Sequence, residues 1–336
     1  DDVILRLHPD EAPVLREAVL GLAQEAIDTL SSRYRMTVQG PILIEIFPTH
    51  DDFAVRTIGL PGMIGALGAC FGSVVTMDSP RARPPGDFNW KSTLWHEIAH
   101  VITLQMSKQR LPRWLSEGIS TYEEKVASPA WGRDQAMEFA ESMNQDNVLS
   151  IRELNSGFQR PDTISLAYFQ ASILVEHIVE KHGAEVLQGL VRAYGDGLET
   201  EQALATVELD FDSLQTSFNE AIEDQFGSLR LALKRREEPV SVPRDGNEDI
   251  AVLRERVSQQ PGNFWAQFAL GRALFYSGEF DDARVAFQFA GALAPMATGF
   301  DSPSGFLARI AQAEGDREAA KNHLESLLEY DETSLD

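Results

Sequence analysis

"LWHEIAH", residues 94–100, sets two histidines four positions apart with a glutamate directly after the first. A helix advances about 100° per residue, so His96 and His100 fall roughly 40° apart on one face, one turn separated. At that spacing both imidazoles can reach one tetrahedral zinc ion. Glu97 projects beside them, where it can contact a water held by the ion without ligating the ion itself. An ordinary amphipathic helix that happens to carry two imidazoles is the competing reading. Two histidines cannot separate the two, because zinc needs a third protein ligand and an open fourth position.

A candidate for the third ligand follows. Sixteen residues separate His100 from Glu117, which lies inside "LPRWLSEGISTYEE", residues 111–124. Leu111, Pro112 and Arg113 mark a turn, and a second helix running back from it can present Glu117 to the ion. A carboxylate there supplies the charge that two neutral imidazoles lack. On helix patterning alone, Glu117 reads equally well as a surface carboxylate.

The surroundings of these helices define an α+β architecture. "VILRL" at 3–7 suits a strand, and a helix follows with Asp10 as its cap, Pro13 in its first turn and Val14, Ala18, Leu22, Ala26 and Leu30 along it. "PILIEIFP" at 41–48 is a second strand between prolines. After a short helical stretch near 51–58, a glycine-rich run leads into a third strand, "SVVTM", at 73–77. A loop with Pro80, Pro84, Pro85 and Gly86 closes this layer. From Ser92 to about Arg236 the period is helical, with breaks expected at Gly118, Pro129, Pro161 and Gly183. "REEPVSVPRDGN", 236–247, reads as a linker.

Beyond the linker lies an internal repeat. Leu270, Gly271, Gly278, Phe280, Ala283, Phe287, Ala290 and Pro295 stand at the offsets of a tetratricopeptide repeat, and Pro261 precedes Pro295 by 34 residues. Ala308, Gly315, Ala320 and Leu324 form a looser second copy. The expected domains are therefore 1–235, with a sheet part to 90 and a helical part from 91, and an all-α repeat module at 248–336.

The net charge of -23 argues against nucleic acid and anionic membrane surfaces as partners, since both call for a basic face. No stretch reaches the eighteen or so apolar residues of a membrane helix. The chain opens on Asp1, which suggests a fragment or a processed form, and leaves bacterial cytoplasm and periplasm both open. Cys70 is the only cysteine, so no internal disulfide exists. It reads as a small buried hydrophobe, with a thiolate capping a nearby metal as the sharper alternative.

Taken together, "HEIAH" and "WLSEGISTYEE" resemble the gluzincin metallopeptidases. In the aminopeptidase-N-like members a similar helix precedes a Trp-Leu-Asn-Glu-Gly-Phe-Ala-x-Tyr segment, and Trp114, Leu115, Glu117, Gly118 and Tyr122 match it. The spacing between the motifs is two residues shorter here. With the attached repeats, this points to the small bacterial peptidase-MA-like family often fused to tetratricopeptide repeats, over about residues 40–235. The resemblance implies His96, His100 and Glu117 as zinc ligands and Glu97 as general base. It also implies Tyr168, in "YFQAS", as donor to the oxyanion of the tetrahedral intermediate, where that family has Tyr-x-Lys-Gly-Ala. A core tyrosine on an apolar helix is the alternative for Tyr168.

The family's amine-binding Gly-Ala-Met-Glu-Asn corresponds here to "GALGACFGSVV", which has no carboxylate to grip a free α-amine. An endopeptidase is thus favoured over an aminopeptidase, with peptide added along the strand at 70–77. The expected function is a zinc metallopeptidase whose repeats recruit a protein partner or substrate. A catalytically silent scaffold that binds peptides is the alternative. His177 and His182, five apart, diverge on a helix and satisfy no zinc motif. "RARP" at 81–84 reads as a solvated loop, with positioning of an acidic substrate group as the alternative, and the acidic pairs at 123–124 and 237–238 read as solvated charge.

Overall fold

Three parallel strands and one antiparallel strand build the sheet against which the helix 90–106 packs. The strands are β1 (Val3–Arg6), β2 (Ile42–Phe47), β3 (Gly68–Phe71) and β4 (Val74–Asp78), in the order β1-β2-β4-β3. The computed structural model describes residues 3–62, 65–84, 86, 88–131, 135–234 and 249–332. The expected linker at 236–247 and the acidic pair at 237–238 lie outside them. Among the described residues the chain is mostly helical, with fifteen α-helices and this one four-stranded sheet.

In the N-terminal part, α1 (Ala12–Tyr34) joins β1 to β2, and α2 (His50–Ile58) follows β2. The two faces of the sheet can be read from its register. Glu45 pairs with Thr76, and these face α2, where Arg56 donates to Glu45 and Thr57 meets Thr76. Met77 pairs with Gly68 and Val75 with Cys70, and this face looks toward α3 (Trp90–Met106). A Cβ added at Gly68 would meet Glu97 Oε1 at 2.7 Å and Thr93 Cγ2 at 2.9 Å. Only glycine lets β3 lie this close to α3.

The glycine-rich run holds a strand that its composition hides. The segment read as one strand at 70–77 is a hairpin, β3 and β4, turned by Gly72 and Ser73 with Gly72 at φ +67°. The edge of the sheet is therefore β3. The expected stripe of α1 is also corrected. Residues spaced strictly by four drift about 40° per step, so Val14 and Ala18 end up exposed. The face that packs is Val19, Ala23, Ala26, Ile27, Leu30 and Tyr34, and the N-cap is Glu11 rather than Asp10.

Helix α3 starts on Asn89, whose side chain accepts from the amides of Lys91 and Ser92. It ends at Ser107, where Lys108 and Gln109 take left-handed conformations and reverse the chain. Pro112 then caps α4 (Arg113–Ala127). Further helices are α5 (Ala136–Asn144), α6 (Ile151–Gly157), α7 (Ile164–His182), α8 (Ala184–Gly195), α9 (Thr200–Ala205) and α10 (Phe211–Leu233). Residues 1–132 with 149–219 form one compact unit; 133–148 with 220–336 form the other. Residues of α10 belong to both.

Gly118 does not break a helix; it sits in the middle of α4. A Cβ there would lie 2.7 Å from the Ala171 carbonyl oxygen of α7. Glycine is thus kept for helix–helix contact, against its propensity. The other expected breaks hold: α4 ends before Pro129, Pro161 separates α6 from α7, and Gly183, at φ +91°, separates α7 from α8.

The second unit contains α11 (Ile250–Gln259), α12 (Phe264–Ser277), α13 (Phe280–Leu293), α14 (Pro303–Glu314) and α15 (Arg317–Leu328). Gly278 and Gly315, both left-handed, close α12 and α14 in the same way before the next helix starts. Gly271 leaves room for the Phe287 ring, 2.8 Å from where a Cβ would stand. Phe287 and Phe306 stack at 4.6 Å in the centre of this core.

Gly118→Ala gains up to about 1 kcal/mol in helix propensity but forces α4 off α7. A net loss of about 1–3 kcal/mol in urea unfolding is expected. Stability at or above wild type would mean that α4 and α7 are not in close contact at this point.

Candidate metal centre

Helices α3 and α4 place three side chains around one point. His96 Nε2 lies 3.3 Å from Glu117 Oε2, and His100 Nε2 lies 3.2 Å from the same oxygen. The three ligand atoms all fall within 4.8 Å of one another. Two donors each about 2.0–2.1 Å from a common tetrahedral ion stand roughly 3.3 Å apart, so this spacing suits zinc.

The other ring nitrogens are turned to separate partners. His96 Nδ1 is 2.5 Å from Glu124 Oε1, and Ser92 Oγ bonds the second oxygen of Glu124. His100 Nδ1 meets Ser116 Oγ at 3.0 Å and Ser120 Oγ at 3.2 Å. A carboxylate acceptor fixes the proton of His96 on Nδ1 and leaves Nε2 with its lone pair for a metal. Ser116, Glu117, Ser120 and Glu124 share one face of α4, since offsets of three, four and seven return to the same side.

Glu124 is the residue beside the cluster that sequence reasoning missed. Beside Glu123 it looked like solvated charge, and neither residue is. Glu123 is fully buried, bonded to Arg33 and, at 2.8 Å, to the Tyr34 hydroxyl. The offset of seven from Glu117 was the available clue. Arg83 of "RARP" is likewise no free loop charge. It donates to buried Asp78 at 2.8 Å and to the Ala66 carbonyl at 3.2 Å.

Electrostatics follow from three carboxylates in a buried site. Burial by itself depresses His96, but Glu124, Glu117 and Glu97 outweigh it and hold its pKa well above the usual histidine value. Burial pushes Glu117 up, and the hydrogen bonds from His100 and His96 overcome that, leaving it far below the ordinary carboxylate range. Glu97 is raised, first by burial, with the two histidines only partly compensating. Its Oε2 is buried with no hydrogen-bond partner. A buried carboxylate oxygen with unused acceptor capacity, within electrostatic reach of both imidazoles, calls for a specific explanation.

Tyr168 comes to the same place from α7. Its ring centroid is 6.5 Å from that of His96 and 5.0 Å from that of Phe158. Burial and Glu117 raise the phenol's pKa, so it stays a donor. Gln170 and Ala171, which stand where the resembling motif has Lys and Gly, are buried. Gln170 accepts from the Leu149 amide at 3.0 Å and donates to the Leu149 carbonyl. Cys70 lies on β3 outside the cluster, its Sγ 3.6 Å from the Gly72 carbonyl, so its place is that of a packed thiol. His177, away from the cluster, bonds Ser217 at 2.9 Å.

A model of the peptidase MA superfamily matches residues 22–224. The chain belongs to this superfamily. The match spans β2 to β4, α3, α4 and α7, so every residue of the cluster falls within the peptidase MA region. Searches of the curated proteins and of the solved structures return no match. The peptidase MA assignment supports a metallopeptidase-like domain, and the His–His–Glu cluster is where its metal can be held. No helix among the described residues is long and apolar enough to cross a membrane.

Metal binding must displace the proton that His96 holds. Since its pKa is raised, zinc affinity is expected to climb with pH through neutrality, with proton release on zinc binding seen in calorimetry. Glu124→Gln removes the anion that raises His96, so proton release should shrink while zinc affinity falls about 10–100-fold. Affinity that is flat between about pH 6 and pH 8 would contradict the role given to Glu124.

Proposed function

We propose that the protein is a zinc-dependent metallopeptidase that hydrolyses internal peptide bonds. The observation that carries this reading is the convergence of His96 Nε2, His100 Nε2 and Glu117 Oε2, with the unpartnered, buried Glu97 carboxylate beside them. His96, His100 and Glu117 would hold the ion. When bound, zinc supplies Lewis-acid polarisation of a carbonyl and acidifies water.

The chain's own groups do the rest. Glu97 Oε2 takes a proton from the attacking water; its raised pKa suits a group that must hold that proton and deliver it to the leaving amine. Tyr168 donates its hydroxyl to the carbonyl oxygen as negative charge develops there, a type of contact worth about 3 kcal/mol. The β3 edge, bare at Gly68 against Glu97, offers backbone groups to an extended peptide. No carboxylate occurs along residues 65–71 to grip a free α-amine, which favours an endopeptidase.

The helices from α11 onward serve, in this reading, as a tetratricopeptide-like module over 248–336 that recruits a protein partner or substrate. Support comes from the matched offsets in the sequence and from the two alike Gly-closed helix pairs, α12 with α13 and α14 with α15.

Zinc-loaded protein is expected to cleave a mixed peptide library, to lose cleavage with a chelator and to regain it on zinc return. Glu97→Gln should keep stoichiometric zinc and lose turnover on the order of 10³-fold. Zinc retained with no cleavage by either form would instead favour a silent peptide-binding scaffold.

A further inference from the structure

Arg113 stands at the rim of the cluster in a place that helix energetics do not explain. It is the first residue of α4, where a cation meets the positive end of the helix dipole. It precedes Glu117 by four, the less favourable order for such a pair. Its side chain keeps 49% exposure while its contacts are specific. Nε donates to Glu117 Oε1 at 3.4 Å, the oxygen that the imidazoles do not use. The guanidinium carbon lies 5.3 Å from the centre of the Phe158 ring, and Phe158 meets Tyr168 edge-on.

We infer that Arg113 is a positioning residue that ties the Tyr168 phenol to the Glu117 carboxylate, so that the oxyanion donor and the metal ligand keep one fixed relation. The guanidinium neighbours the phenol and draws its pKa back against the rise from burial. A planar fork can serve two acceptors at set angles, whereas a lysine ammonium is a point charge on a flexible stem. This inference rests on the hydrolytic reading of the site and adds a residue that the metal motif does not contain.

The test is a double-mutant cycle on the zinc-loaded full chain with Arg113→Ala, Arg113→Lys and Tyr168→Phe. Its readouts are kcat and KM per bound zinc, zinc affinity, and affinity for a phosphinic peptide that imitates the tetrahedral intermediate. Arg113→Ala is expected to lower kcat about 10–100-fold with KM nearly unchanged, and to cost less than about 3-fold once Tyr168 is Phe. Lysine should restore only part of the loss. Additive losses overturn the inference, as does a loss that follows zinc affinity alone, which would confine Arg113 to Glu117. If wild type cleaves nothing, the hydrolytic reading fails by itself, and the phosphinic-peptide affinities decide. Non-additive weakening there still supports the tie to Tyr168; additive weakening, or no binding by wild type, overturns it.

Discussion

Two imidazole Nε2 atoms each stand within hydrogen-bonding distance of one carboxylate oxygen, and the rest of the domain is arranged so that they can. Glu97, Glu117 and Glu124 bring three carboxylates into one buried region, which is unfavourable unless cations accompany them. Without metal, the raised pKa of His96 answers part of that demand by keeping a proton. A divalent cation would answer it better, because His96, His100 and Glu117 could hold it with both imidazoles and the Glu117 charge at once. Binding therefore adds directly to the stability of the folded state.

Helix α4 organises the arrangement by using three of its faces for three neighbours. Glu117, Ser120 and Glu124 address the histidines of α3; Gly118 touches the backbone of α7; Glu123 is locked to Arg33 and Tyr34 of α1. The two adjacent glutamates thus have different tasks. Glu123 fixes how α4 sits on α1, and Glu124 sets the orientation of a histidine. A shift of α4 by a fraction of an ångström would disturb all three contacts together, since a packed core resists continuous deformation.

What could be read from the sequence were the features whose chemistry is local. His96, Glu97 and His100 declare themselves because one helical turn sets their relation, and Glu117 because a turn signal stands between the two helices. Glu124, Gly118 and Gly68 were not legible in the same way. Each owes its identity to a neighbour far along the chain: His96 for the first, Ala171 for the second, Glu97 for the third. A run rich in glycine reads as loop, yet at Gly68 the missing side chain is what allows a strand to lie against the helix. Similarly, a strict spacing of four drifts around α1, so a period alone placed Val14 on the wrong side.

The site has two unlike walls, and the difference bears on how a peptide would be read. Along β3 the wall is backbone: Gly68 carries no side chain, Cys70 and Gly68 point to α3, and β3 pairs only with β4 among the described residues. Backbone hydrogen bonds to an added strand hold any sequence, so this wall gives register rather than choice. The other wall is made of side chains: Arg113 donates to Glu117 and lies over Phe158, and Phe158 meets Tyr168 edge-on. On the hydrolytic reading, discrimination between substrates belongs to that second wall.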